Sequence, residues 1–264
     1  MRAIHDNDEL AALCAGDTLC LWAAQGLDGR GRAWASDDGD AVAVAGHAIS
    51  RRDRIAVHGP AGAAVPLVEG VLAEVGPSYR PLGDPGLIRA LVAGVPALAA
   101  TKGFGWMETT EAPAATGAAR WLGARELPEA TALLDAAFPD SDARPGIGED
   151  ERWAGVRDDA GRLVALAAIV WPAPSVGLIA GVAVHPDARG LGLGRTVCAF
   201  VTAEAVARHG TAALMVDEWN RTAVRLYEGL GMRYRPLLAA HVREAPARSR
   251  PRRGFIIGPD PGPT

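Results

Sequence analysis

The chain has 264 residues, 49% of them hydrophobic and 22% charged, with a formal net charge of −4. That composition suits one large folded domain or two ordinary ones and excludes a disordered chain. No basic block is long enough to track nucleic acid; the nearest, Arg248, Arg250, Arg252 and Arg253, reads as a solvated tail.

Cys14, Cys20 and Cys198 are odd in number and lack Cys-x-x-Cys or Cys/His spacing, so no metal site is expected. The opening MRAIHDNDEL is polar and acidic, unlike a secretory signal, and a cytoplasmic location is the expectation. Residues 163–184 carry no charge and are long enough to span a bilayer. Pro172, Pro174, Ser175 and Gly177 interrupt them midway, so two buried strands joined by a tight turn are expected instead, and no membrane partner.

In chain order, residues 6–15 have a short helical pattern and 18–23 read as a strand. Apolar runs at 41–46 and 54–58, split by the polar ISRRD turn, predict an antiparallel pair. Val65, Val68, Leu72 and Val75 space a helix over 61–75, and a short strand follows at 79–82. A helix is expected over 84–93, with Asp84 as N-cap, Pro85 at its first position and Gly94 just past its end. Strand-like residues continue to Met107, and the Ala/Thr/Pro-rich 109–119 has the character of a linker. Beyond it, 121–126 reads as a strand, 128–138 as a helix and 148–153 as a second, poorly defined helix. Strands are expected at 155–157, 163–171 and 176–184. A helix over 195–209 ends at Gly210, and a strand at 212–216, a helix at 220–230 and a strand at 232–241 complete the series.

The two halves repeat one order: strand, strand, helix, strand, helix, strand. Both central strands end in Val-His, at Val57-His58 and Val184-His185. Two copies of one fold are therefore expected, the first without the loop described next.

That loop contains Arg189, Gly190, Gly192, Gly194 and Arg195, between an apolar strand and a helix. Glycines let a backbone come close, helix-start N–H groups lack internal partners, and the helix dipole favours an anion, so the turn is a phosphate site. A dinucleotide fingerprint needs Gly-x-Gly-x-x-Gly directly off the strand, whereas here His185 to Arg189 intervene and Val197 stands in the last glycine's place. A triphosphate loop needs Gly-Lys-Ser/Thr, and the only lysine, Lys102, is elsewhere. What remains is Arg-x-x-Gly-x-Gly, met by Arg189, Gly192 and Gly194.

With that pattern the chain resembles the GNAT N-acetyltransferase superfamily. The resemblance includes the GVAV strand at 181–184, Pro186, the loop, and Asn220 followed seven residues on by Tyr227 and the Gly229-Leu230-Gly231 ending. It covers residues 163–234 and extends back to Trp121, while the first half matches only in its order of elements. The resemblance implies an α/β (α+β) fold of two tandem acetyltransferase-like domains. Each would be a mixed, mostly antiparallel sheet flanked by helices, with the N-terminal copy degenerate. Its expected boundaries are 1–110 for the degenerate copy, 111–120 for a linker, 121–245 for the catalytic domain and 246–264 for a flexible tail.

It further implies acetyl-CoA as cosubstrate, no metal, and a small-molecule or peptide amine as acceptor, in a monomer or homodimer. The backbone of Val182, Ala183 and Val184 would bond the pantetheine arm. Amides of Arg189, Gly190, Leu191, Gly192, Leu193, Gly194, Arg195 and Thr196 would wrap the pyrophosphate, the two arginines adding charge. Asn220 and Tyr227 lie about two helical turns apart and so face one way. Tyr227 would protonate the departing sulfur, a phenol being protonated at neutral pH, or else be a core tyrosine on the stripe of Ala223, Leu226 and Leu230. Asn220 would hold the helix start or the cofactor arm. Asp217 and Glu218 are candidate bases, with a water chain as the alternative. Trp153, Trp171 and Trp219 would line the acceptor side or simply pack. Competing classes are a non-catalytic CoA-binding sensor and, if the loop is misread, an oxidoreductase. If the first copy shapes the acceptor site, a pocket lined by both halves follows.

Overall fold

The computed structural model describes residues 1–114, 117–148 and 150–243. The expected tail, with its four arginines, lies outside the described residues. The chain begins with Arg2–Ile4 (β1), Asn7–Leu13 (α1) and Thr18–Ala24 (α2). The strand expected over 18–23 is thus a helix. Asp17 accepts from the N–H groups of Leu19 and Cys20, which fixes a helix start, and Leu19, Cys20, Trp22 and Ala23 are buried by it. A short apolar run fits either structure until its cap is considered.

Gly31–Ala35 (β2), Val42–Ile49 (β3) and Arg52–His58 (β4) form an antiparallel meander, followed by Ala61–Val75 (α3) and Arg80–Gly83 (β5), which pairs parallel to β4. Pro85–Gly94 (α4) starts on Asp84, whose carboxylate accepts from Gly86 and Leu87 N–H. Gly94 is the last helical residue rather than the one beyond, and a side chain there would come within 2.7 Å of Val65 Cγ1. Leu98–Ala100 (β6) and Phe104–Thr109 (β7) follow.

The second half has Arg120–Trp121 (β8), Leu127–Ala137 (α5), Arg152–Arg157 (β9), Leu163–Ile169 (β10) and Gly177–Val184 (β11). Leu193–His209 (α6), Ala212–Asp217 (β12), Arg221–Glu228 (α7) and Arg233–Val242 (β13) complete it. Of the strand expected at 121–126 only Trp121 is one, for Glu126 turns back to accept Gly123 N–H at 2.9 Å and winds a 3-10 turn. The helix expected near 148–153 is not found among the described residues: Arg152 and Trp153 already pair with Ile169 and Ala168. Residues 163–184 form β10 and β11, and among the described residues no helix is long and apolar enough to cross a membrane.

All strands join one sheet in the order β1-β2-β3-β4-β5-β13-β7-β12-β11-β10-β9-β8, with β6 pairing β13. The second half repeats the first in order and sense: β9, β10 and β11 antiparallel, then β12 parallel to β11. The halves are interlocked. β7, from the first half, lies between β12 and β13 of the second. β13 pairs with β7 through residues 233–237, then with β5 and β6 of the first half through 238–242. Alternation of side chains puts α1, α2 and α5 on one face and α3, α4, α6 and α7 on the other. A half-buried ion pair, Arg235 Nη1 to Asp17 Oδ2 at 2.6 Å, and a bond from Trp22 Nε1 to Trp171 O at 2.9 Å tie the halves together.

Candidate active site

The site begins with a defect in β11. Gly181 has φ +63°, and the register with β10 shifts between Leu166 and Ala168 beside it. A Cβ at Gly181 would also fall 2.7 Å from Trp153 Cη2, so both conformation and the indole beneath require glycine. The bulge turns β11 away from its parallel neighbour: only Gly177, Leu178 and Ile179 pair with β12, at Ala212, Ala213 and Leu214. Beyond them a wedge opens between residues 182–184 and 215–217. On its other side β11 stays with β10, for Ala183 opposes Leu166 and His185 N–H donates to Val164 O at 2.8 Å. Antiparallel alternation therefore points the N–H and C=O of Val182 and Val184 into the wedge. This is an open strand edge, able to pair with an extended ligand chain.

The wedge leads to the glycine loop. His185 Nδ1 accepts from Asp187 N–H and caps one 3-10 turn at Pro186–Ala188. Arg189 is extended and exposed, and Gly190 and Gly192 follow at φ +80° and +75°. Leu191, between them, is 71% exposed. Gly192 is the N-cap of α6 and offers no side chain, so the amides of Leu193, Gly194 and Arg195 lack the usual capping oxygen. A Cβ on Gly190 or Gly192 would meet nothing within 4 Å, so this cradle faces open space. Such a helix start suits an anion. Arg195 is partly engaged: its Nη2 donates to Gly229 O at 2.8 Å, joining the start of α6 to the end of α7. Thr196 completes the first turn, its N–H donating to Gly192 O at 3.1 Å.

The equivalent turn of the first half is shorter, with a single glycine between β4 and the N-cap of α3. Gly59 follows β4 at φ +116°, and a side chain there would sit 2.4 Å from Asp40 O. Pro60, the N-cap of α3, has no N–H to offer.

Loop, strand and second helix converge at Gly194, where a Cβ would lie 3.4 Å from Val184 Cγ2 and 3.6 Å from Leu226 Cδ1. Asn220 is the N-cap of α7, its Oδ1 accepting from Ala223 N–H at 3.1 Å. Its side chain thus holds the helix start, one of the two expectations for it. Tyr227 is 8% exposed in the core that includes Cys198, Val197 and Val224. Burial, with a smaller contribution from Cys198, pushes its phenol well above its ordinary range. Asp217 and Glu218 are exposed at the end of β12, with Glu218 Oε2 3.3 Å from where a Cβ on Gly103 would be. Trp153 and Trp171 pack inside, Trp153 as the floor of the bulge, whereas Trp219 is 77% exposed.

Two cavities flank these elements. One of about 350 Å³ lies beside the first turn of α6, between Glu111 and Ala114 of the linker, Arg195, Thr196, Gly229 and Gly231. The other, about 210 Å³, is lined by both halves through Gln25, Arg30, Asp150, Arg208 and His209. It sits at the far end of α6, about 25 Å from the loop at 1.5 Å per residue. Sequence reasoning missed the linker beside Thr196, the indole under Gly181 and β7 beside β12. Each is a long-range contact with no local signal.

The open strand edge thus runs into an anion cradle, on a mixed and mostly antiparallel sheet flanked by helices. Residues 121–232 match the Acetyltransferase (GNAT) family. The fold is shared with a GCN5-related N-acetyltransferase from Kribbella flavida, at 20% identity and TM-score 0.60, covering 89% of this chain and 96% of that one. A GCN5-related N-acetyltransferase from Sphaerobacter thermophilus aligns at 17% identity and TM-score 0.57, over 92% of this chain and 94% of its own. Among curated proteins no sequence matches the chain. No group of three or more His, Cys, Asp or Glu is gathered for a metal ion among the described residues.

Proposed function

We propose that the protein moves the acetyl group of acetyl-CoA to a primary amine of a small molecule or peptide by direct attack. The observation that carries this reading is the wedge: an unpaired edge at Val182 and Val184 that ends at an uncapped, glycine-lined helix start. The edge would hold the pantetheine arm, and the amides from Arg189 to Thr196 the pyrophosphate, with Arg189 supplying free charge. An amide of the bulged strand would polarise the thioester carbonyl.

As the amine nitrogen bonds to the carbonyl carbon and the carbon–sulfur bond breaks, Tyr227 would give its proton to the departing sulfur. Burial keeps that phenol protonated, which favours an acid over a base. Asn220, by capping α7, sets the height at which Tyr227 stands. The proton lost by the ammonium would go to Asp217, Glu218 or water. The first half, with its shorter turn, would bind no cofactor and would shape the acceptor site instead. We place the reaction in the cytoplasm.

The test is thiol release from acetyl-CoA with a mixed amine panel, with CoA binding measured separately by calorimetry. The expected result is turnover that Tyr227→Phe lowers roughly 10²- to 10⁴-fold, the usual range for a general acid, while CoA affinity is kept. Tight CoA binding without turnover on a broad panel would identify a sensor. Binding of NAD in place of CoA would overturn the reading.

A further inference from the structure

A buried charge needs an opposite charge or a full set of hydrogen bonds. Arg54 of β4 is 8% exposed, and its hydrogen-bond partners are neutral: Nε donates to Ile49 O at 3.2 Å and Nη2 to Ser50 Oγ at 3.2 Å. The surrounding field is unfavourable. Burial, then the charges of Arg52 and Arg80, lower its guanidinium to about 10, with Asp142 opposing. The hairpin it braces is strained as well, with Ala48, Ser50 and Arg51 at φ +54°, +51° and +54°. A buried cation with neutral hydrogen-bond partners, balanced only in part by the charge of Asp142, suits an anionic ligand.

Arg54 shares a face of the sheet with the contacts of the Gly181 bulge. Ile55 and Val57 face the α3 side of the sheet, so Arg54, like Ala56, faces the side carrying α2 and α5. Asp142, whose charge reaches Arg54, follows α5 and precedes Ala143. Ala143 in turn touches the bulge, its Cβ 3.4 Å from where a side chain on Gly181 would begin. The neighbours therefore run from Gly181 through Ala143 and Asp142 to Arg54, from one half of the chain into the other.

We propose that Arg54 is the acceptor-specificity residue, receiving an oxyanion carried by the amine substrate, a carboxylate or a phosphate. The acceptor is then an amino acid, peptide end or amino phosphate and not a simple amine or polyamine. This rests on the acetyl-transfer reading and narrows its acceptor class. With Nε and one Nη2 hydrogen engaged, the guanidinium retains the N–H pair directed at two oxygens of such a group.

The experiment uses the full chain with acetyl-CoA and matched acceptors: amino acids against their amides, and amino phosphates against the corresponding amino alcohols. In at least one series the anionic member should be favoured about 10- to 100-fold in kcat/KM, chiefly through KM, the range that hydrogen bonds to a charged group contribute. Which series shows it identifies the oxyanion. Arg54→Gln should bring that ratio to about one, and Arg54→Lys should keep part of it, with CoA affinity unchanged in both. Asp142→Asn should lower KM for the anionic acceptor. A merely structural arginine would move thermal stability in Arg54→Gln and leave the ratio intact, which overturns the proposal. Equal or better use of the neutral members overturns it too. Loss of CoA binding in the unsubstituted protein would instead remove the acetyl-transfer reading, and this assignment with it.

Discussion

Gly181 carries two demands at once, a left-handed backbone and room for the Trp153 ring at 2.7 Å from its absent Cβ. Gly181→Ala should therefore destabilise by more than the ~1 kcal/mol such a backbone position alone exacts. It should also weaken CoA binding, because the strand can relieve the clash only by losing the bulge; thermal melting and calorimetry on the one variant measure both. The two loop arginines should separate. Arg189→Ala is expected to weaken CoA binding with little change in melting temperature, since Arg189 is exposed. Arg195→Ala should lower melting temperature as well, because it leaves Gly229 O without its donor. Tyr227 makes a pH prediction. Its phenol is raised by burial, so the protonated form persists beyond the ordinary value of 10.0. A pH–rate profile should show no loss of kcat from tyrosine ionisation between about pH 8 and 10. The residues of the site were legible in the sequence because their relations are local: glycines two apart, and Asn220 and Tyr227 seven apart on one helix. Arg54 was not, because its burial depends on a hairpin and on a loop from the other half.

Among elements, α2 shows how one side chain decides a structure. Its run TLCLWAA suits a strand by composition, and Asp17 makes it a helix by occupying the Leu19 and Cys20 amides. The same carboxylate pairs with Arg235 of β13 across the halves. Burial works against its ionisation, but the hydrogen bond and charge of Arg235 prevail and hold it below its usual value of 3.8. A carboxyl depressed in the folded state stabilises fully above its unfolded pKa and loses that contribution as pH falls through the folded one. Stability should thus drop below about pH 4, and Asp17→Asn should flatten that part of a melting-temperature profile. At neutral pH the substitution should cost about 1 kcal/mol, since Arg235 is half-buried and water screens the charge left unpaired. The helical periods and caps of α3, α4, α6 and α7 could be read from the chain. The partners of β7 and β13 could not, because periodicity says that a strand is buried on both faces and never beside what.

At the scale of the molecule, the sheet is continuous and each half depends on a strand of the other. Fragments 1–114 and 117–243, produced separately, are expected to lack cooperative melting, and coexpression should restore a single transition; calorimetry of each preparation checks this. Loss of β13 would leave β5 with an unpaired edge, and loss of β7 would do the same to β12. The interlock also imposes a schedule on synthesis. A first half emerging from the ribosome has no β13, so its sheet must wait until residues 238–242 arrive, with well over a hundred residues made in between. The first half thus cannot mature ahead of the second. β13, the last strand among the described residues, closes both, and a chain stopped short of it should be recognised by the cell's quality control as a whole rather than leave half of the protein folded.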